Sequence, residues 1–263
     1  GQMSALMLFL LVASLWAART GRQRLAGFLI ALSLIKPQVT FLAVPVLLVG
    51  SPIGQDAQAR RARRTRLLAF GVTVCALLLV STLLLPTWPV EWLGRVDGDF
   101  LEAESVDAAM TSLRGVLAML LPGGVPTFLL FVLAVPFWVW FVLRWRGSAS
   151  EPAGDAVLLS QAMAIALLTA PYTREYDYVL LLFPATLSLA LLAQVRSPIA
   201  RLVQVSIVLA VLLPYGIRVL SFRYGMGAET IIPVLILALS LLSERLAFGR
   251  SENVVLPTRW WAK

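Results

Sequence analysis

Lys36 is the only charged residue in the largely apolar run from Leu25 to Gly50, and Pro37 follows it. An unpaired lysine at bilayer depth costs about 2.5–3.5 kcal/mol or more, so one kept there is a candidate functional group. A compact ammonium beside a helix break, with freed backbone groups nearby, suits a phosphate or pyrophosphate headgroup. The plainer role is a lysine that snorkels to the interface or pairs with a structural acid. The densest polar cluster lies far along the chain, at Pro171-Tyr172-Thr173-Arg174-Glu175-Tyr176-Asp177-Tyr178. Carboxylates there accept from hydroxyls, and aromatic rings cover the apolar face of a pyranose, so this composition suits a sugar or polar headgroup. The alternative is a short loop whose charges pair with each other, Arg174 with Asp177. Ser112-Leu113-Arg114-Gly115 and the group Arg218, Arg223 and Tyr224 add further polar residues. Asp97, Asp99, Glu102 and Glu104 lack the spacing of an EF-hand and read as a solvated face, so no metal site is expected. The chain has no histidine, which removes the commonest general base and metal ligand. Any chemistry rests on carboxylates, Arg, Lys, Tyr or Ser.

The elements that must position these residues are membrane spans. Hydrophobic residues make up 59% of the 263 and charged residues only 14%, with a mean hydropathy of +0.86, against about 45–50% and about 25% in soluble domains. Apolar runs occupy 5–18, 25–50, 67–85, 113–121, 128–143, 156–170, 179–195, 202–219 and 231–246. This pattern predicts an all-α, polytopic bundle of about seven to eight transmembrane helices filling residues 1–250 as one domain, with a cytoplasmic tail at 251–263. The +8 net charge does not point to nucleic acid, because the basic residues sit at the ends of apolar runs rather than among aromatics. Placing the loops 19–24, 51–66, 144–155, 196–201 and the C-terminal end from Arg245 onward in the cytoplasm puts 16 of the 22 Lys and Arg there, as the positive-inside rule requires. Lys36, Arg114, Arg174 and Arg218, with nine of the 14 acids, then fall on the opposite side. Trp88, Trp92, Trp138, Trp140, Trp145, Trp260 and Trp261 suit an interfacial belt. The single cysteine, Cys75, excludes an intramolecular disulfide.

Residues 25–50 break the alternation, since arginines of the same side flank both ends. Proline removes a helix hydrogen bond and disfavours helical geometry in the residue before it. We therefore expect a hairpin of two short tilted helices with Lys36-Pro37 at its apex. One long helix kinked at the proline is the alternative, and it would invert the topology downstream.

At these residues the chain resembles glycosyltransferase family 87. Leu25-Ala26-Gly27 through Leu34-Ile35-Lys36-Pro37-Gln38 is similar to its "laGlllal…iKPq" segment, and Gly1-Gln2 to the Gly-Gln ahead of the preceding span. Ser112-Leu113-Arg114-Gly115 resembles "Asn-x-Ser-Leu-x-Gly", with Met110 in the Asn position. Pro171-Tyr172 with Tyr176-Asp177 resembles "Pro-Tyr…Tyr-Asp", with Arg174 or Glu175 where a His is often found. The matches keep their order from residue 1 to about residue 185. The resemblance implies a GT-C-like transferase moving a sugar from a polyprenyl-phosphate donor to a glycan or glycolipid acceptor, on the extracytoplasmic face of the plasma membrane. The donor is a substrate, and no cofactor is expected. The family's catalytic aspartate belongs to a first outer loop, expected upstream of Gly1 in a longer protein. The candidate donor- and substrate-binding set is Lys36, Gln38, Ser112, Arg114, Tyr172, Arg174, Glu175, Tyr176, Asp177 and Arg218. Two other functions compete: a transporter or flippase using the broken helix at a midplane site, which predicts an inverted repeat that is not seen, and a non-catalytic membrane assembly subunit.

Overall fold

The computed structural model describes residues 2–50, 57–91, 112–121, 127–147, 154–170, 173, 175–224 and 231–248, with backbone alone for 2, 118–119, 127, 147, 175 and 213–224. Every regular element among them is helical. In chain order these are α1 (Gln2–Arg19), α2 (Gln23–Leu32), a 3-10 turn (Ser33–Ile35), α3 (Pro37–Thr40), α4 (Ala43–Val49), α5 (Ala57–Leu84), α6 (Leu113–Leu120) and α7 (Thr127–Gly147). After them come α8 (Gly154–Thr169), a 3-10 segment (Glu175–Leu181), α9 (Leu182–Leu192), α10 (Pro198–Tyr224) and α11 (Ile231–Phe248). The tail 251–263 lies outside the described residues.

The bundle is organised around α8. All but one of its residues from Gly154 to Thr169 are buried, the half-buried Asp155 being the exception. A helix that is apolar around its whole circumference has no face to offer water. Accordingly α3, α4, α6, α7, α9 and α11 all touch α8. Among the described residues, three helices are long and apolar enough to cross a membrane: Ala57–Leu84, Phe128–Arg146 and Ile231–Phe248. Shorter apolar helices of 10–17 residues make up most of the rest. The chain is a membrane protein, and its helix ends differ from the apolar runs in one systematic way. α5 starts at Ala57, ten residues ahead of the apolar run, because Ala-Gln-Ala-Arg-Arg-Ala-Arg-Arg consists of good helix formers. α5 packs along α2, and Leu68, Val72, Leu79, Leu83 and Leu84 on it are left exposed, as a lipid-facing helix requires.

Residues 25–50 form the hairpin. Its first arm approaches α5 where Gly27 faces the backbone of Arg66 and Phe70. Its second arm returns to the same place, where Arg66 Nη1 donates to Leu47 O. Both arms thus end beside Arg66, which excludes one long kinked helix. Gly21, at φ +78, closes α1 in a Schellman turn: Arg22 N–H donates to Ala17 O (2.8 Å) and Gly21 N–H to Ala18 O (3.3 Å). Gly27 is required for a different reason. A Cβ there would collide with Arg66 O and come within 2.9 Å of both Ala69 Cβ and Phe70 N. We expect Gly27→Val to destabilise the protein by about 1–3 kcal/mol through overpacking, read as a lower melting temperature in detergent. An unchanged melting temperature would show that α2 and α5 are not in this contact.

Charge is sorted to the two ends of this bundle. At one end Arg144 donates from Nε to Gln161 Oε1 (2.9 Å) and pairs with Glu244, which also accepts from Gln161 Nε2 (2.9 Å). These residues lock α7, α8 and α11 together. Trp145 Nε1 donates to Gly50 O (3.0 Å) at the same end. Toward the other end, past Thr169 and so more than about 12 Å from Gln161 along α8 at 1.5 Å per residue, lie Ser4, Lys36 and Asp177.

Candidate functional site

Lys36 is placed by the break itself. Pro37 begins α3 and cannot donate to the preceding turn, and it holds Lys36 in extended geometry at φ −131, ψ 75. The carbonyls exposed at the break are collected locally. Thr40 Oγ1 lies 3.4 Å from both Ser33 O and Lys36 O, and Ser33 Oγ donates to Ile30 O (2.7 Å). The ammonium points across the bundle to Asp177, whose two carboxylate oxygens accept from Nζ at 2.6 and 2.5 Å. Asp177 also accepts from Ser4 Oγ at 2.5 Å. Its side chain is fully buried, whereas that of Lys36 keeps 15% exposure. The Tyr176 ring lies 4.9 Å from Lys36 Nζ, within cation–π range.

A lysine ammonium has three N–H donors. Two are directed to Asp177, and the third, together with the exposed part of the side chain, is where an anionic group can approach. Asp177 cannot play the same part, because both of its oxygens are engaged by Lys36 and one by Ser4 as well. The pair therefore acts as a cation held in position by a buried carboxylate.

Next to it lies an apolar cavity of about 240 Å³, bounded by Gln38, Phe41, Leu130, Phe131, Ala134, Trp138 and Thr169. Trp138 is its fixed wall. The indole Nε1 donates to Thr169 Oγ1 (3.0 Å), which donates onward to Ile165 O (2.8 Å). Phe41 meets the Trp138 ring edge-to-face at 5.4 Å between centroids. Gln38 connects the two features, lining the cavity two residues after Lys36. A charged head beside an apolar slot is the complement of an amphiphile with a phosphate at one end.

Of the ten residues expected to bind substrate, Lys36, Tyr176 and Asp177 are brought together, and Gln38 lines the apolar cavity. Ser112 and Arg114 are buried at the start of α6, which packs against α8. Glu175 opens the 3-10 segment and Arg218 lies in α10, each described by its backbone alone. Tyr172 and Arg174 lie outside the described residues, so the alternative Arg174–Asp177 pairing does too; Asp177 is bonded to Lys36. The sequence reading missed Ser4, Phe41 and Thr169. Ser4 is an ordinary hydroxyl at the head of an apolar run that also holds Ser14, and only its place beside the Gly1-Gln2 resemblance could have drawn notice. Trp138 and Trp145, expected to belong to an interfacial belt, donate their indole N–H groups to Thr169 Oγ1 and Gly50 O of the bundle itself.

Comparison with known proteins gives one result. The family profile of glycosyltransferase family 87 matches residues 1–171, the greater part of the chain. No curated protein and no solved structure matches it.

Proposed function

The chain belongs to glycosyltransferase family 87, and from that premise we propose that it transfers a sugar from a polyprenyl-phosphate donor to a hydroxyl of a glycan or glycolipid acceptor on the extracytoplasmic face of the plasma membrane. The observation that carries this reading is the Lys36–Asp177 pair at the helix break, beside an apolar slot. In transfer, the bond from the sugar's anomeric carbon to the donor phosphate breaks as the bond to the acceptor oxygen forms. The acceptor proton passes to a carboxylate base, and polyprenyl phosphate leaves with the bond's electron pair as added negative charge on its phosphate oxygens. Lys36 offers its third N–H to that developing charge. Asp177 and Ser4 act as positioning residues that hold the ammonium, and the pair supplies no base. Tyr176 covers the site from the side, and the slot takes the first isoprene units of the donor. A transferase family membership also weighs against the transporter and assembly-subunit readings, neither of which needs a phosphate leaving group.

The test uses membranes carrying the full-length protein and a polyprenyl-phosphate sugar donor. Lys36→Ala is expected to reduce transfer about 10²–10³-fold, the usual loss when one donor to a developing oxyanion is removed. Lys36→Arg, which keeps the charge but not the compact geometry, is expected to recover part of it. Transfer unchanged by Lys36→Ala would remove the phosphate role altogether.

A further inference from the structure

A second site lies at the opposite end of the bundle. α1 carries Ser4 near its start and finishes at Arg19, about 22 Å away at 1.5 Å per residue. There the turn into α2 faces the first turns of α5 across a groove of about 770 Å³. Arg22, Arg24 and Arg61 line it, with Gln23, Gln58 and Thr65 between them, and none of its described lining residues is acidic. Its geometry is set rather than incidental. The Schellman turn at Gly21 holds one rim, and the tight contact at Gly27 holds α2 against α5. The Arg22 guanidinium is braced 5.0 Å from the centre of the Trp16 ring. Thr65 Oγ1 donates to Arg61 O (3.0 Å), which leaves its lone pairs to accept a hydrogen bond.

The groove also has a direction. Gln58, Arg61, Ala62 and Thr65 follow helical spacing along one face of α5. The same face continues to Leu68 and Val72, which are 59% and 69% exposed. Across from them, Leu25 in the groove wall leads one turn on to the exposed Phe28. A basic polar mouth thus opens into two apolar strips that run toward the bundle's middle. We propose that this groove binds one anionic phospholipid of the cytoplasmic leaflet. The phosphate lies among Arg22, Arg24 and Arg61, a headgroup hydroxyl reaches Thr65, and the acyl chains lie along the exposed faces of α2 and α5. Orientation alone accounts for arginines anywhere at this end; it does not account for a groove whose basic mouth is continuous with apolar walls. Basic pockets between helices on this side of a membrane are where phospholipid headgroups are held.

Native mass spectrometry of the purified full chain in detergent tests this, with phosphatidylglycerol as the probe and phosphatidylcholine and inorganic phosphate as competitors. The expected result is one tightly held phosphatidylglycerol, displaced neither by an equal amount of phosphatidylcholine nor by inorganic phosphate. Arg22→Gln/Arg24→Gln/Arg61→Gln is expected to weaken it on the order of a hundredfold, each surface arginine contributing about a factor of five. Ala62→Trp keeps every charge but fills the groove, and should produce a comparable loss. The charge-matched control Arg60→Gln/Arg64→Gln/Arg201→Gln, with its two α5 positions outside the groove lining, should retain the lipid. Equal loss in the control would overturn the proposal in favour of diffuse electrostatics. Displacement by inorganic phosphate would overturn it in favour of a site for free phosphate. Retention in Ala62→Trp, with its melting temperature intact, would show that the lipid sits elsewhere.

Discussion

Lys36→Ala is expected to lower stability by about 3–5 kcal/mol, because it leaves the fully buried carboxylate of Asp177 without its counter-charge. For a chain of this size that corresponds to a fall in melting temperature on the order of 10 °C. The loss should be largely reversed by neutralising the partner. Lys36→Met/Asp177→Leu replaces the pair with apolar groups, and buried pairs exchanged in this way are often neutral in stability. Measured as a double-mutant cycle, the coupling between the two positions should exceed about 2 kcal/mol. Transfer should respond differently, since the double variant regains stability but has no cation to meet the leaving phosphate. A double variant that recovers both would make the pair a structural tie and remove it from the reaction. A single variant with an unchanged melting temperature would show that Asp177 is not held as described.

Trp138→Ala comes next in size, at about 3 kcal/mol for a largely buried indole that also loses its edge contact with Phe41. Trp138→Phe retains most of the wall and gives up only the hydrogen bond to Thr169, at about 1 kcal/mol. Thr169 keeps its own bond to Ile165 O in either variant. If the slot holds the donor's first isoprene units, Trp138→Ala should raise KM for a long-chain polyprenyl donor and leave kcat nearly unchanged. That is the signature of binding energy shared equally by ground state and transition state. A water-soluble donor with a truncated chain should be insensitive to the same change. Equal effects on both donors would place the chain outside this slot and leave Trp138 with a packing role alone.

The helical class, the positions of the spans and the break at Lys36-Pro37 were legible in the sequence, because each depends on local properties. Hydropathy over some twenty residues decides what can enter lipid, and a proline acts on its own turn. The sorting of charge to two ends was legible for the same reason, since arginines at the ends of spans orient the chain one loop at a time. Helix limits were less so: α5 extends back through its arginines because helix propensity does not stop where hydropathy does. Lys36 and the 171–178 insert were each recognisable as polar residues out of place, yet nothing local joined them. They are 141 positions apart, and what unites them is that α1, α3 and the 3-10 segment all gather around one end of α8, α1 reaching it through that segment. The same packing decides that Ser4 bonds Asp177, that Trp138 faces inward to Thr169, and that Arg144 is a partner for Glu244 and Gln161 rather than an orientation signal alone. A side chain's type states which bonds it needs. Only the arrangement of helices around a buried central one determines which partner meets that need, since in an apolar interior an unmet polar group is too costly to leave and any neighbour brought within reach will satisfy it.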